Sequence, residues 1–215
     1  MQIQVCNTRR PPDVEASEDI PANGHGGPAT PFMTPTDHKR ALRARMRTVR
    51  DMFARETGGT VVVPGSFRER LIPGLTIASY RPVGGEANPA PLEAAARAIG
   101  CRLALPHVTR RADPIRFVAW TPDRPLESGP FGLSQPPATA PDMKPDIVLV
   151  PLVAFDAAGH RLGQGAGHYD RALADLPHAW RLGVAWSVQQ VDALLADPWD
   201  VPLHAIATEA GVVTP

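Results

Sequence analysis

The sequence predicts an α/β protein: a single layered domain in which a largely parallel sheet is flanked by helices. Three observations carry that reading. From Thr76 onward, short apolar runs alternate with amphipathic stretches, the pattern of strand–helix units whose functional loops lie beyond the carboxyl ends of the strands. Gly and Pro punctuate the runs. At 215 residues the chain is long enough to build one substantial core.

The elements follow in order. Residues 1–36 contain Pro11, Pro12, Pro21, Pro28, Pro31 and Pro35, with Gly24, Gly26 and Gly27 and few apolar residues between them. Such a segment buries too little to offset its ordering entropy, so a disordered or loosely docked extension is expected there, with the folded domain at 37–215. Thr36-Asp37 offers an N-cap for a helix from His38 to about Glu56. In that helix Leu42, Met46, Val49 and Phe53 recur at helical spacing, leaving Lys39, Arg43, Arg47 and Arg50 on other faces. Residues 60–74 show no clear period. Strands are expected at Thr76–Tyr80, Arg102–Pro106, Ile115–Trp120, Asp146–Phe155, Arg181–Trp186 and Ala205–Glu209. Helices are expected at Pro89–Ile99, Tyr169–Leu176 and Val188–Leu195. The Pro- and Gly-rich stretch 121–145 is too long for a simple connection, and long loops of this kind are often functional.

Charge and composition narrow the function. Lys plus Arg and Asp plus Glu both number 22, so no global field favours nucleic acid or an anionic membrane. Cys6 and Cys101 make no Cys-x-x-Cys, and a reduced, cytoplasmic setting is the expectation. No apolar stretch reaches the roughly 18–20 residues that span a bilayer, and Arg9-Arg10 is followed by no apolar signal region.

Residues 161–171, Arg-Leu-Gly-Gln-Gly-Ala-Gly-His-Tyr-Asp-Arg, stand between an expected strand and an expected helix. A strand, a glycine turn and a helix start together form an anion site, because backbone N–H groups converge and glycine lets phosphate oxygens approach the main chain. Arg161 and Arg171 bracket the turn, and Asp170 is a hard oxygen donor suited to a divalent metal. Position 168 is His where the dinucleotide fingerprint places its third Gly, and no Walker sequence occurs. Lys39 and Arg43, four apart, share a helix face that could grip a triphosphate, and Glu86 sits in a Gly84-Gly85-Glu86 turn after a strand.

Taken together, the pieces resemble the 5-formyltetrahydrofolate cyclo-ligase (5,10-methenyltetrahydrofolate synthetase) family. Val150-Pro151-Leu-Val-Ala-Phe155-Asp156, then Gly159-x-Arg161-Leu162-Gly163-x-Gly165-x-Gly167-x-Tyr169-Asp170-Arg171, carries most of the likeness. Lys39-Arg40-x-Leu42-Arg43, Gly84-Gly85-Glu86, Leu105-Pro106, the segment 129–136 and Thr208-Glu209 add to it. Gln164, Ala166 and His168 stand where the family commonly has an aromatic, a Gly and a Tyr.

The resemblance implies a NagB/RpiA/CoA-transferase-like fold and ATP-dependent closure of 5-formyltetrahydrofolate to 5,10-methenyltetrahydrofolate, with release of ADP and phosphate. ATP is then the co-substrate, Mg²⁺ the metal and a reduced folate the substrate, with no nucleic acid or membrane partner. The expected state is a monomer, with a homodimer as the alternative. By the same likeness Arg161, Tyr169 and Arg171 act in catalysis. Lys39, Arg40, Arg43 and the run Arg161, Leu162, Gly163, Gln164, Gly165, Ala166, Gly167, His168, Tyr169 hold ATP. Arg81, Glu86, Gln164 and His168 contact the folate, while Asp170 and Asp200 hold the metal. Two other classes compete: a catalytically silent folate- or nucleotide-binding paralogue acting as a regulatory or interaction module, and a sugar-phosphate isomerase or acyl-CoA transferase on a related scaffold.

Overall fold

In a computed structural model of the chain, which describes residues 34–110 and 113–215, five parallel strands form the centre of a seven-stranded sheet. Along the chain the strands are β1 (Thr76–Ala78), β2 (Arg102–His107), β3 (Arg116–Trp120), β4 (Glu127–Ser128), β5 (Ser134–Gln135), β6 (Ile147–Pro151), β7 (Ala154–Phe155), β8 (Arg161–Leu162), β9 (Trp180–Val184), β10 (Ala205–Ala207) and β11 (Val212–Val213). The helices are α1 (Pro35–Glu56), α2 (Gly65–Arg68), α3 (Ala90–Ala98) and α4 (His168–Ala174). The sheet order is β11-β10-β9-β6-β1-β2-β3, with β4-β5 and β7-β8 as separate antiparallel pairs. Strands β10, β9, β6, β1 and β2 run parallel, while β11 and β3 close the two edges antiparallel.

Alternation of side chains across the sheet sorts the core into two layers. Ile77, Leu103, Leu105, Ile147, Leu149, Leu182 and Val184 face one way and pack on Phe53, Phe67, Leu92 and Ala96 from the first three helices. Val148, Val150 and Ile206 face the other way, towards Phe155, Ala172 and Leu173. The sheet is therefore buried on both faces, as parallel sheets are.

Several expectations shift. Helix α1 starts at Pro35, not His38: Thr34 is the N-cap, and its hydroxyl accepts from the Asp37 amide at 3.1 Å. The run 146–155 is not one strand. It leaves the sheet after Pro151, because the buried Gln189 side chain takes the Leu152 and Val153 carbonyls at 2.8 and 3.1 Å. Residues 154–155 then pair with β8 instead. The expected helix at 188–195 is only a 3₁₀ turn at Ser187–Gln189; beyond it, Phe155 accepts from the Val191 amide and Asp156 from the Leu194 amide, tying residues 191–194 down in non-helical form. The strands expected at 76–80, 181–186 and 205–209 end earlier, at Ala78, Val184 and Ala207. Strand β11, helix α2 and the β4-β5 hairpin carried no readable period. The extension expected at 1–36 lies almost wholly outside the described residues.

Candidate active site

The glycine turn sits beyond β8 and opens α4. Gly165 has φ +102 and Gly167, the N-cap of α4, has φ +65, both in the region that glycine enters without strain. A Cβ at Gly165 would meet the Arg43 guanidinium at 3.5 Å, an ordinary contact, so it is the positive φ that calls for glycine there.

Helix α1 supplies the clamp. Arg43 Nε donates to the Gly163 carbonyl at 2.9 Å. One turn later, Arg47 donates through Nε to Gln164 Oε1 at 3.0 Å and through Nη2 to the Gln164 carbonyl at 3.1 Å. Arg171 returns from α4 to the Ala166 carbonyl at 3.1 Å and lies 3.3 Å from His168 Nδ1. Three guanidiniums thus bind the carbonyls of the turn, directing its amides elsewhere. Among the described residues, no acceptor is met by the amides of Gln164, Gly165 and Ala166, and these residues are exposed or half-exposed. Burial pulls the Arg43 guanidinium below its ordinary range, and neighbouring Arg47 adds to this; Asp200 and Asp197 oppose it.

Behind the turn lies a second charged layer. Arg161, whose side chain is 4 % exposed, donates to Asp170 and to the Val201 carbonyl. Burial lowers its pKa, opposed by Asp170 and Asp200. Lys39 pairs with Asp197 at 2.5 Å and Asp200 at 3.5 Å, and Asp200 also accepts from the Asp197 amide at 2.8 Å. Lys39, Arg161, Asp170 and Asp200 therefore form one mixed-charge group. Among the described residues no cluster of three or more His, Cys, Asp or Glu side chains could hold a metal by itself. That donor set fits Mg²⁺ in the mode where one or two carboxylates share it with substrate phosphates and water, and does not fit an all-protein cage.

The folate-side candidates are arranged differently. Glu86 is nearly buried, with its side chain 9 % exposed. It accepts from the Val83 amide at 3.0 Å and from Gln164 Nε2 at 3.1 Å. Burial raises its pKa above the ordinary glutamate value, against the hydrogen bond from Val83, the Arg50 charge and the bond from Gln164. Gln164 therefore links the α1 clamp to Glu86. The Gly84-Gly85 turn below is held by Trp186 Nε1, which donates to the Gly85 carbonyl at 2.8 Å. Tyr169 is half-buried with its hydroxyl enclosed, and among the described residues that hydroxyl has no hydrogen-bond partner; burial pushes the phenol up, with Glu86 adding to the rise and Arg161 opposing it.

Other candidates stand apart. Arg81 pairs with Glu93 and lies over the Trp120 ring at 4.4 Å. Arg40 is exposed and pairs with Asp37 along α1. Leu162 is buried in a small apolar cluster with Met46 and Val153. Arg47, Arg50 and Asp197 are new members. The first repeats the four-residue spacing of Lys39 and Arg43, a signal already in the sequence. Arg50 gave none, because its period placed it on a polar face whereas the structure buries it.

Comparison with known proteins settles the family. The model of the 5-formyltetrahydrofolate cyclo-ligase family matches residues 35–209. The chain belongs to that family. A 5-formyltetrahydrofolate cyclo-ligase from Mycolicibacterium smegmatis is 36 % identical over 157 residues, covering 66 % of this chain and 78 % of that protein. One from Haemophilus influenzae is 39 % identical over 100 residues, 42 % of this chain and about half, 51 %, of that protein. The NMR structure of the Aquifex aeolicus 5,10-methenyltetrahydrofolate synthetase superposes with a TM-score of 0.59 at 25 % identity, covering 85 % of this chain and 93 % of that one. This family member is an enzyme, a ligase of folate one-carbon metabolism that cyclises 5-formyltetrahydrofolate. Neither the silent-paralogue reading nor the isomerase reading finds support in these likenesses. No helix among the described residues is long and apolar enough to cross a membrane.

Proposed function

We propose that ring closure in this chain is driven by ATP whose polyphosphate lies along the glycine turn, with the folate held on the Glu86 side. The carrying observation is the orientation of that turn: Arg43, Arg47 and Arg171 engage its carbonyls, leaving the amides of residues 164–166 as donors at an exposed surface. Preorganised amide donors stabilise charge that develops during phosphoryl transfer without reorganising at that moment.

In this reading the γ-phosphoryl passes to the formyl oxygen of the folate, and ADP departs. The resulting phosphate ester is attacked at carbon by folate N10, and phosphate leaves as the ring closes. The residues place reactants more than they react: an in-line approach of formyl oxygen and γ-phosphorus is what the site must enforce. Lys39 and Arg43 face the phosphates from α1. Arg161 orients Asp170 from below, and Arg171 fixes the end of the turn. Asp170, paired with Arg161, and Asp200, paired with Lys39, would hold Mg²⁺, which supplies charge neutralisation at the phosphate oxygens when bound. Glu86 accepts the adjacent N–H donors of the pterin edge, and Gln164 and His168 border the same space. Arg40, exposed and paired with Asp37, adds only to the local positive field.

The test is direct. Full-length protein with 5-formyltetrahydrofolate, ATP and Mg²⁺ is expected to form the methenyl product, read by its near-ultraviolet absorbance. Stoichiometric ADP and phosphate are expected with it, and chelation of the metal is expected to stop turnover. Product formation without ATP consumption would refute the phosphoryl-activation reading.

A further inference from the structure

A buried arginine lies directly behind the Glu86 carboxylate. Arg50, on the fifth turn of α1, has a side chain 6 % exposed and sits 3.6 Å, Nη1 to Oε1, from Glu86. Its Nε donates to Asp51 Oδ1 at 3.0 Å, while Nη1 is buried and has no hydrogen-bond partner among the described residues. Burying a guanidinium is costly unless charge and hydrogen bonds compensate it. An apolar side chain would fill this place at less cost, so packing alone does not account for Arg50.

We propose that Arg50 is a positioning residue for the folate site, supplying from the protein interior the countercharge that holds the Glu86 carboxylate in place. This rests on the reading of Glu86 as the folate acceptor. The separation is too long for a hydrogen bond yet within the range where an opposite charge governs a carboxylate. The two oxygens are also restrained from other sides, Oε2 by the Val83 amide and Oε1 by Gln164 Nε2. Both must stay acceptors to meet a pterin edge, and only the ionised carboxyl offers that.

The charged and titratable groups around Glu86 come from every element packed on it. Helix α1 brings Arg50 and Asp51, which act in opposite directions, and Arg47 through Gln164. Tyr80, buried, follows β1 and Tyr169, half-buried, lies in α4; both phenols are pushed up by burial and further from ionisation by Glu86. Arg50 is therefore the cation that directly offsets the burial of this carboxylate. Without it, the Glu86 carboxyl is pushed further above the ordinary glutamate value.

The experiment tracks the Glu86 carboxyl by ¹³C NMR titration in the parent, Arg50→Met and Arg50→Lys proteins. In parallel, the folate KM and the ATP KM are measured from about pH 8 to about pH 6, with the formyl folate as the varied substrate in the first series. In Arg50→Met the carboxyl is expected to titrate about one to three pH units higher. Its folate KM is expected to climb about tenfold or more as the pH falls, because the acceptor is lost on protonation, while the ATP KM stays level. Arg50→Lys is expected to restore most of the parent profile. An unmoved Glu86 titration, or a lysine variant that behaves like the methionine one, would overturn the proposal. Glu86→Gln separates the two readings. If it leaves the folate KM unchanged, Glu86 is not the folate acceptor, and the NMR titration still decides whether Arg50 sets its charge.

Discussion

Two neighbouring turns, residues 156–160 and 163–167, are both glycine-bearing and flank the same short strand, yet they are built for opposite ends. In the first, Asp156 is 3 % exposed and spends its carboxylate on its own surroundings. It accepts from the amides of Ala158 and His160 at 3.0 Å each, from the Leu194 amide at 3.0 Å, and pairs with His160 Nδ1 at 3.0 Å. In the second, cations from two helices bind the carbonyls and leave amides outward. A turn whose polar groups are consumed internally is structural. One whose donors remain open beside anchored cations can receive an anion. Glycine content does not distinguish them; the direction of the polar groups does.

The sharpest way to break this contrast is Asp156→Ala. Three amides lose a buried acceptor together, and a loss of about 3 kcal/mol is expected in denaturant unfolding. Burial alone would raise the Asp156 pKa, but the bonds from His160 and Leu194 outweigh it and the net shift is downward. A depressed folded pKa means stability that is present above the unfolded value of about 3.9 and lost as pH falls through the folded one. Melting curves taken below about pH 4 are therefore expected to show an acid-sensitive leg in the parent that Asp156→Asn lacks.

Asp170→Asn tests the other turn by chemistry. We expect kcat/KM for Mg·ATP to fall about a hundredfold while folate binding, followed by fluorescence quenching, changes little. Equal loss of both would make Asp170 a structural partner of Arg161 only. Gly165→Ala should act more mildly, at about 1–3 kcal/mol of backbone strain from its positive φ, with the ATP KM rising as the strained turn shifts its amides. A normal ATP KM with lowered stability would show that this glycine serves only the turn. Arg47→Ala removes exposed bonds to Gln164, and a change of only about two- to fivefold in KM is expected, felt by both substrates since Gln164 touches Glu86 as well.

Much of the site was legible because it is local in the chain. Arg161 to Arg171 lie within one strand–turn–helix unit, and Lys39 and Arg43 share a helix face, so spacing alone brings each group together. The remainder depended on contacts distant in sequence. Gln189 breaks the long apolar run at 146–155, although it lies on another segment, one whose pattern reads as a helix and not as a partner for that run. Asp197 reaches Lys39 across 158 positions. By residue type Arg50 reads as solvated even though Met46 and Phe53 flank it at helical spacing, whereas in the fold the turn at 84–86 packs over α1 beside it and Arg50 is buried.

The amino-acid order by itself determined the alternating α/β architecture, the glycine turn and its flanking cations, because these follow from side-chain period and from residues near one another along the chain. Tertiary structure alone decided which carbonyls the arginines take, how Asp170 and Asp200 share Arg161 and Lys39, and which charge stands behind Glu86. Those outcomes depend on which segments the sheet order places side by side, and in a parallel sheet such neighbours come from far apart in sequence.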